Sequence, residues 1–335
     1  MVDITGTCRM ISKVSSRKEH LGVVSPSAHA DKTAAKRHAA RNSPHVSVEL
    51  PYKAPYDWGA MLSVFRAHQL PHLESVDDRG YERVVRTSQG MGWFRVAEGA
   101  KEHSLQLSVW NGGEEDIANI SQSARRMFDL DADPDVVRKA MNADPYLFSI
   151  WKRHPGLRVT RSWSGFETML TTILGQVVSV SFGRTLADEL MKAGGTKARH
   201  PKNGELIHLF PNAEQLLTAD LSMVRTSESR RTAIRSLAML VADGTLEWEH
   251  PLPPKELRKT LLGVPGIGAW TAEYVAMRGF HDDDAFPATD YGLKQELKRH
   301  AEVDVNRVRP WRAYAAIALW KSYAEAKGTP YDPVV

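Results

Sequence analysis

Two hydrophobic rhythms divide the chain. From residue 46 to about 113 apolar positions alternate, as in Val46, Val48 and Leu50 and again in Leu105, Leu107 and Val109. That is the period of a strand with one buried face. Runs over 81–87, 92–96 and 104–110 read as strands, and Gly90, Gly92 and Asn111-Gly112-Gly113 fit the connections of an antiparallel sheet. Between the first strand and these lies an amphipathic stretch over 57–68 carrying Trp58, Met61, Leu62 and Phe65. Beyond residue 114 the period becomes helical and stays so. Helices are predicted over 117–128, 134–141, 165–191, 229–243, 254–262, 269–278, 290–299 and 309–326. Asp133-Pro134 and Ser164-Gly165 supply starts and Gly194-Gly195 a stop. The pattern predicts an α+β fold, with a small antiparallel-sheet domain (46–113) packed on a mainly α-helical body (114–326) and a tail over 327–335. No 20–50-residue repeat suggests a solenoid.

Composition changes this picture at one end. Residues 1–45 mix Ser, Ala, Lys, Arg and His without a period and read as a disordered basic leader. Their makeup faintly resembles a transit peptide, but Glu19 and Asp31 interrupt it, and a flexible tail or linker remnant is the favoured reading. Charge follows the same division. Of 44 basic and 40 acidic residues, the leader holds eight and three, so the remainder carries 36 against 37. Any affinity for nucleic acid must come from a local patch or from backbone amides. A membrane partner is not predicted, because no apolar run approaches the roughly 20 residues a span needs. One cysteine, Cys8, excludes internal disulfides and cysteine-held zinc or iron–sulfur clusters, and a reducing cytoplasm is the expected location.

Candidate chemistry concentrates near the C-terminal end. The segment from Leu261 to Ala272 takes a helical run through Pro265-Gly266-Ile267-Gly268 directly into a second helical run. Gly266 and Gly268 allow positive φ and remove Cβ atoms that would block another backbone. The second helix then offers uncapped amides and a positive dipole end, a phosphate site that needs no bulk positive charge. An ordinary packed helical hairpin has the same pattern. A nucleotide-binding loop does not, since no strand precedes these glycines and no GK[ST] follows. Twenty-two residues after Gly268, Asp290 opens another predicted helix. Its simplest role is an N-cap. The same position at a helix N-terminus favours an anionic carboxylate, which could stabilise a developing oxocarbenium sugar or assist an attacking water.

These residues resemble a known family. The hairpin over 263–279 followed by 286–296 is similar to the helix-hairpin-helix and Gly/Pro…Asp signature of DNA glycosylases. Three further blocks, 52–58 (Tyr56-Asp57-Trp58), 166–180 (Gly175-Gln176-Val177) and 310–320 (Pro310-Trp311 through Trp320), extend the resemblance, in order, to the bacterial DNA-3-methyladenine glycosylase II family. The resemblance implies that Asp290 is the catalytic carboxylate and that Trp270, Tyr274, Tyr291 and Trp320 line the base pocket. It also implies that Val177, smaller than the leucine usual there, is the wedge filling the gap left by a flipped nucleotide. The hairpin amides around Gly266 and Gly268 would grip a DNA phosphate, while the carbonyls of Leu262, Val264 and Gly266 would hold a structural Na+ or K+. Val64, with Phe65 beside it, stands where the family has a pocket phenylalanine. Core packing at helical spacing is the alternative for each aromatic.

The implied activity is monofunctional excision of alkylated bases from double-stranded DNA by a monomeric hydrolase that needs no cofactor. Lyase relatives carry a lysine immediately before the Thr-Ala of the second hairpin helix, where this chain has Trp270. The competing readings are a DNA-binding protein that kept the hairpin but lost catalysis, which the presence of Asp290 disfavours, and an oxidised-guanine glycosylase-lyase, which Trp270 disfavours. Asp282-Asp283-Asp284 reads as a solvated loop.

Overall fold

The computed structural model describes residues 46–247 and 251–329. The expected leader over 1–45, Cys8 included, and residues 330–335 of the expected tail lie outside them. In chain order the elements are β1 (Val46–Pro51), α1 (Trp58–His68), β2 (Glu74–Asp77), β3 (Gly80–Thr87), β4 (Gly90–Glu98), β5 (Ser104–Trp110), α2 (Glu114–Met127), α3 (Pro134–Met141), α4 (Pro145–Arg153), α5 (Gly165–Gly175), α6 (Val180–Gly194), β6 (Lys197–Arg199), β7 (Leu206–His208), α7 (Ala213–Thr218), α8 (Glu228–Ala242), α9 (Pro254–Leu262), α10 (Ala269–Gly279), α11 (Tyr291–Arg299) and α12 (Arg312–Lys327). Short 3₁₀ turns precede α8 and α12.

The first five strands form one antiparallel sheet in the order β1-β5-β4-β3-β2. Alternation puts Leu50, Tyr81, Phe94, Val96, Leu105, Leu107 and Val109 on the face that meets Trp58, Met61, Leu62 and Phe65 of α1. Ile120, Ala124 and Met127 of α2 join the same cluster, so by packing the sheet layer continues past residue 113. The opposite face is covered too: Val84 and Trp93 pack against Ala187 and Met191 of α6. This double cover explains why β3 and β4 are buried more continuously than a half-exposed strand would be.

α12 is buried on every side from Ala313 to Trp320, as a helix threading the middle of a bundle must be. Alanines at 313, 315, 316, 318 and 324 let neighbouring helices close on it. It runs one residue past the predicted end, and Gly328 caps it in the left-handed region (φ 63°).

Several sequence expectations need correction. The predicted helix over 165–191 is two helices. Gln176 turns extended and Val177 takes φ 56°, while Ser179 caps α6 by accepting from the Phe182 amide at 3.3 Å. α4, α7 and the β6–β7 hairpin were not anticipated. α4 was readable, because Asp144-Pro145 repeats the start signal of Asp133-Pro134, and both aspartates cap their helices. The aspartate loop is not solvated. Asp282 pairs with Arg258 at 2.8 Å, Asp283 with Arg161, and Asp284 with Arg312 at 2.8 Å and Arg309 at 3.0 Å.

Arg161 is the most buried of these partners. It also meets Asp129 (3.3 Å) and the Met277 carbonyl (3.1 Å), and Asp129 receives the Tyr314 hydroxyl at 2.8 Å. Burial pulls the guanidinium pKa down, but the two carboxylates outweigh it and the net shift is upward. Replacing Arg161 by Met leaves buried Asp129 with neutral donors only and is expected to cost about 3–5 kcal/mol, with little added by the 39 % exposed Asp283. Arg309→Met, at a half-exposed pair, should cost about 1 kcal/mol or less. Urea unfolding of both variants checks this; equal losses would mean that the buried network carries no special weight.

Candidate active site

Asp290 owes its position to the pinned loop before it. Besides the four aspartate–arginine contacts, Glu273 of α10 binds Arg258 at 2.6 Å and accepts the Phe286 amide at 3.0 Å. The chain then turns tightly, with the Ala288 amide on the Phe286 carbonyl and the Asp290 amide on the Pro287 carbonyl, each at 2.8 Å. Asp290 caps α11, and its Oδ1 accepts the Leu293 amide at 3.0 Å.

The carboxylate is 4 % exposed, yet among the described residues no Lys, Arg or His forms an ion pair with it. Two indoles replace the missing cation. Trp320 Nε1 donates to Oδ1 at 2.8 Å and Trp270 Nε1 donates to Oδ2 at 3.0 Å. Oδ1 therefore has two donors and Oδ2 one. Gly292 leaves room beside the acid: a Cβ there would lie 3.3 Å from Asp290 Oδ1 and from Tyr323, close enough that a neighbour would have to shift by a few tenths of an ångström. Sequence reasoning passed over Gly292, whose signal was only its place in the first turn after the acid.

Asp290 opens into a cleft of about 1240 Å³ between the sheet layer and the helices. Trp270, Tyr274 and Tyr291, three of the four aromatics singled out from the sequence, line it together with Asp290. Trp320 does not: it is 2 % exposed and sits behind the acid as its hydrogen-bond partner. Trp270 and Tyr274 stack with centroids 5.0 Å apart and planes at 15°. The Arg278 guanidinium lies 5.1 Å from the Tyr274 ring, so indole, phenol and guanidinium follow one another at i, i+4 and i+8 of α10. Tyr291 stands exposed at the mouth, edge-on to Tyr323. Val64, Phe65 and His68 of α1 and Trp163 contribute further wall. Val177 projects from the rim, entirely exposed, in a left-handed conformation unusual for a β-branched residue.

The hairpin between α9 and α10 is a tight turn. The Ile267 amide reaches the Val264 carbonyl at 3.1 Å, with Pro265 and Gly266 central and Gly266 at φ 89°. That is the residue pattern of a type II turn. Gly268 differs from expectation: it is extended (φ −94°, ψ 177°), and a Cβ there would meet nothing within 4 Å. It is an N-cap without a side chain, which leaves the first-turn amides of α10 without a side-chain cap. The carbonyl set proposed for a cation fits only in part. The Val264 carbonyl already accepts the Ile267 amide, and the Gly266 carbonyl faces the Gln176 amide nitrogen at 3.1 Å, a donor where a cation would need to approach.

Comparison with known proteins follows the same outline. The family model for the AlkA N-terminal domain matches residues 47–164. A Mycobacterium tuberculosis protein described as a probable bifunctional transcriptional activator/DNA repair enzyme AlkA is 35% identical over 283 residues, covering 82% of this chain. The chain spans 56% of that relative's length. DNA-3-methyladenine glycosylase 2 of Escherichia coli is 31% identical over 282 residues, covering 81% of this chain and 95% of that protein. Among solved structures, a 3-methyladenine DNA-glycosylase from Archaeoglobus fulgidus superposes with a TM-score of 0.69 over 82% of this chain and 98% of that one, at 19% identity. At that identity the likeness concerns the fold.

Gly268→Asp separates anion binding from packing. An aspartate at this N-cap is sterically free and should hold or raise stability, by up to about 1 kcal/mol. It also puts a negative charge where a phosphate would dock, so affinity for duplex DNA should fall by about 2–4 kcal/mol and the salt dependence should flatten by about one contact. Thermal unfolding and DNA titration across salt concentrations test the pair; unchanged affinity in a folded variant would reduce the hairpin to a packing turn.

Proposed function

The chain belongs to the DNA-3-methyladenine glycosylase family of helix-hairpin-helix proteins, and on that premise we propose that it removes alkylated purines from double-stranded DNA by hydrolysing the N-glycosidic bond, the opening step of base-excision repair. The observation that carries the reading is Asp290, a buried carboxylate without a cationic partner among the described residues, held by two indoles at the wall of an aromatic cleft.

In this reading the first-turn amides of α10 grip a backbone phosphate, Val177 fills the space of the extruded nucleotide, and the damaged base enters against Trp270. Extrusion costs a few kcal/mol, less where alkylation has weakened pairing. A purine alkylated on a ring nitrogen is cationic, and an aromatic wall attracts it by roughly 0.5–2 kcal/mol. The C1′–N bond breaks with its electron pair leaving on the base. Oδ2 of Asp290, with a single donor, is the oxygen free to face the oxocarbenium carbon and then to guide water onto C1′, the water proton passing to the carboxylate or to solvent. Much of the discrimination lies in the weakness of the damaged bond, so broad specificity follows. The protein would act as a monomer in the cytoplasm and needs no cofactor. A Na+ or K+ at the hairpin carbonyls would be structural, and no step passes through it.

Asp290→Asn tests the carboxylate. An amide retains one acceptor oxygen and turns an NH2 toward one of the indoles, so stability should drop by about 1–3 kcal/mol. Base release from methylated DNA should fall at least about 100-fold, the scale of losing a key electrostatic group, while DNA binding persists. Chromatography of released bases against a folded Asp290→Asn control decides it, and near-wild-type release would sink the assignment.

Strand integrity tests the reaction class. Trp270 occupies the place a Schiff-base lysine would need, so an abasic product should stay unbroken and borohydride should trap no protein–DNA adduct. A lysine-dependent covalent complex on a denaturing gel would instead mark a lyase.

A further inference from the structure

The Gln176 side chain connects the two parts of the protein that would touch DNA. Its Nε2 donates to the Gly266 carbonyl at 3.1 Å and to Thr271 Oγ1 at 2.9 Å, which uses both amide hydrogens. Gly266 is the left-handed residue of the hairpin turn, and the buried Thr271 follows Trp270 in the first turn of α10. The backbone carbonyl of Gln176 is in turn held by the Arg230 guanidinium of α8. The next residue is Val177, whose left-handed backbone is disfavoured for a β-branched side chain and persists only where its surroundings impose it. The fixed points flanking it are those of Gln176 and the cap at Ser179.

Resting on the reading of Val177 as wedge and the hairpin as phosphate site, we propose that Gln176 is a positioning residue that locks the wedge turn to the hairpin, so that phosphate capture and wedge insertion occur as one step. The bonds to Gly266 and Thr271 set the height of Val177 above the cleft relative to the α10 amides. Without them the hairpin still binds phosphate, but the wedge is no longer held in register with the nucleotide that must leave.

Such a role shows where extrusion is costly and vanishes where it is not. Single-turnover base release is measured on two duplexes with one 7-methylguanine, one pairing it with cytosine and one placing it opposite a tetrahydrofuran abasic analogue. Gln176→Met removes the donors, and Gln176→Glu keeps the shape but cannot donate as a carboxylate. Both should lose about tenfold to a hundredfold on the paired duplex, the scale of one or two hydrogen bonds. They should stay within about threefold of wild type on the abasic-opposed duplex, with an unaltered salt dependence of binding. Combined with Val177→Ala, either should add little to the Val177→Ala loss. Equal losses on both duplexes, or losses that multiply with Val177→Ala, overturn the proposal while leaving the wedge intact. If Val177→Ala alone leaves paired release unchanged, the wedge reading itself falls, and this proposal with it. Thermal unfolding of each variant identifies any loss that comes from misfolding, and a variant that folds but shows no paired-duplex defect counts against the lock.

Discussion

The architecture turns on keeping one carboxylate buried without neutralising it. An ion in a low-dielectric interior ordinarily demands an opposite charge, and a lysine or arginine beside Asp290 would satisfy that demand while cancelling the field that the cationic intermediate of the proposed reaction would need. Indole N–H groups resolve the conflict: each donates a hydrogen bond, carries no net charge and cannot accept one in return. Trp270 and Trp320 therefore require an acceptor as much as Asp290 requires donors. The Leu293 amide, at the positive end of α11, supplies the third donor.

Each donor depends on a different part of the fold. Trp320 is fixed by α12, whose all-round burial leaves it little freedom. Trp270 is the second residue of α10, so its place follows from the hairpin turn that also presents the uncapped amides proposed to hold a phosphate. Asp290 itself is delivered by a loop that four arginines, Arg161, Arg258, Arg309 and Arg312, pin through Asp282, Asp283 and Asp284. The sheet layer joins the same frame through Arg83 of β3, which binds Glu74 and, at 2.6 Å, Glu167 of α5. Arginines engaged in such internal ties are not available to a DNA-facing surface, so net charge alone would be a poor guide to the proposed DNA affinity.

What the sequence disclosed was local. The Pro-Gly turn, the helix on each side, the prolines at first helical positions and the strand alternation are properties of a few adjacent residues, and α9 and α10 begin where the pattern put them. What it concealed was distant. Arg161 and Asp283 are 122 residues apart, so nothing near Asp283 marks it as paired rather than solvated. Gln176 reaches 90 residues forward to Gly266. The resemblance named Trp320 as a site residue, but spacing could not tell whether it would face the cleft or stand behind the acid. Apolar continuity from α5 into α6 likewise hid a break imposed by contacts from α8 and α10.

The division of labour around Trp270 also bears on selectivity. One face of its ring is stacked on Tyr274 and its Nε1 is committed to Asp290, so only the remaining face is open to an incoming base. A flat apolar surface holds every purine by stacking and reads few of their edge groups. Such a wall cannot reject an undamaged purine strongly by contact alone, because differences of a few atoms in an apolar site amount to only about 1–3 kcal/mol. The burden then moves to extrusion and to bond strength. On the proposed function, a wedge as small as Val177 would repay little of the cost of opening a sound base pair, whereas a lesion that has already lost pairing needs less repayment. A modest wedge, one open aromatic face and an acid that helps only once the glycosidic bond begins to break would then act together: each would be weak as a filter, and all three would fail on the same undamaged nucleotides.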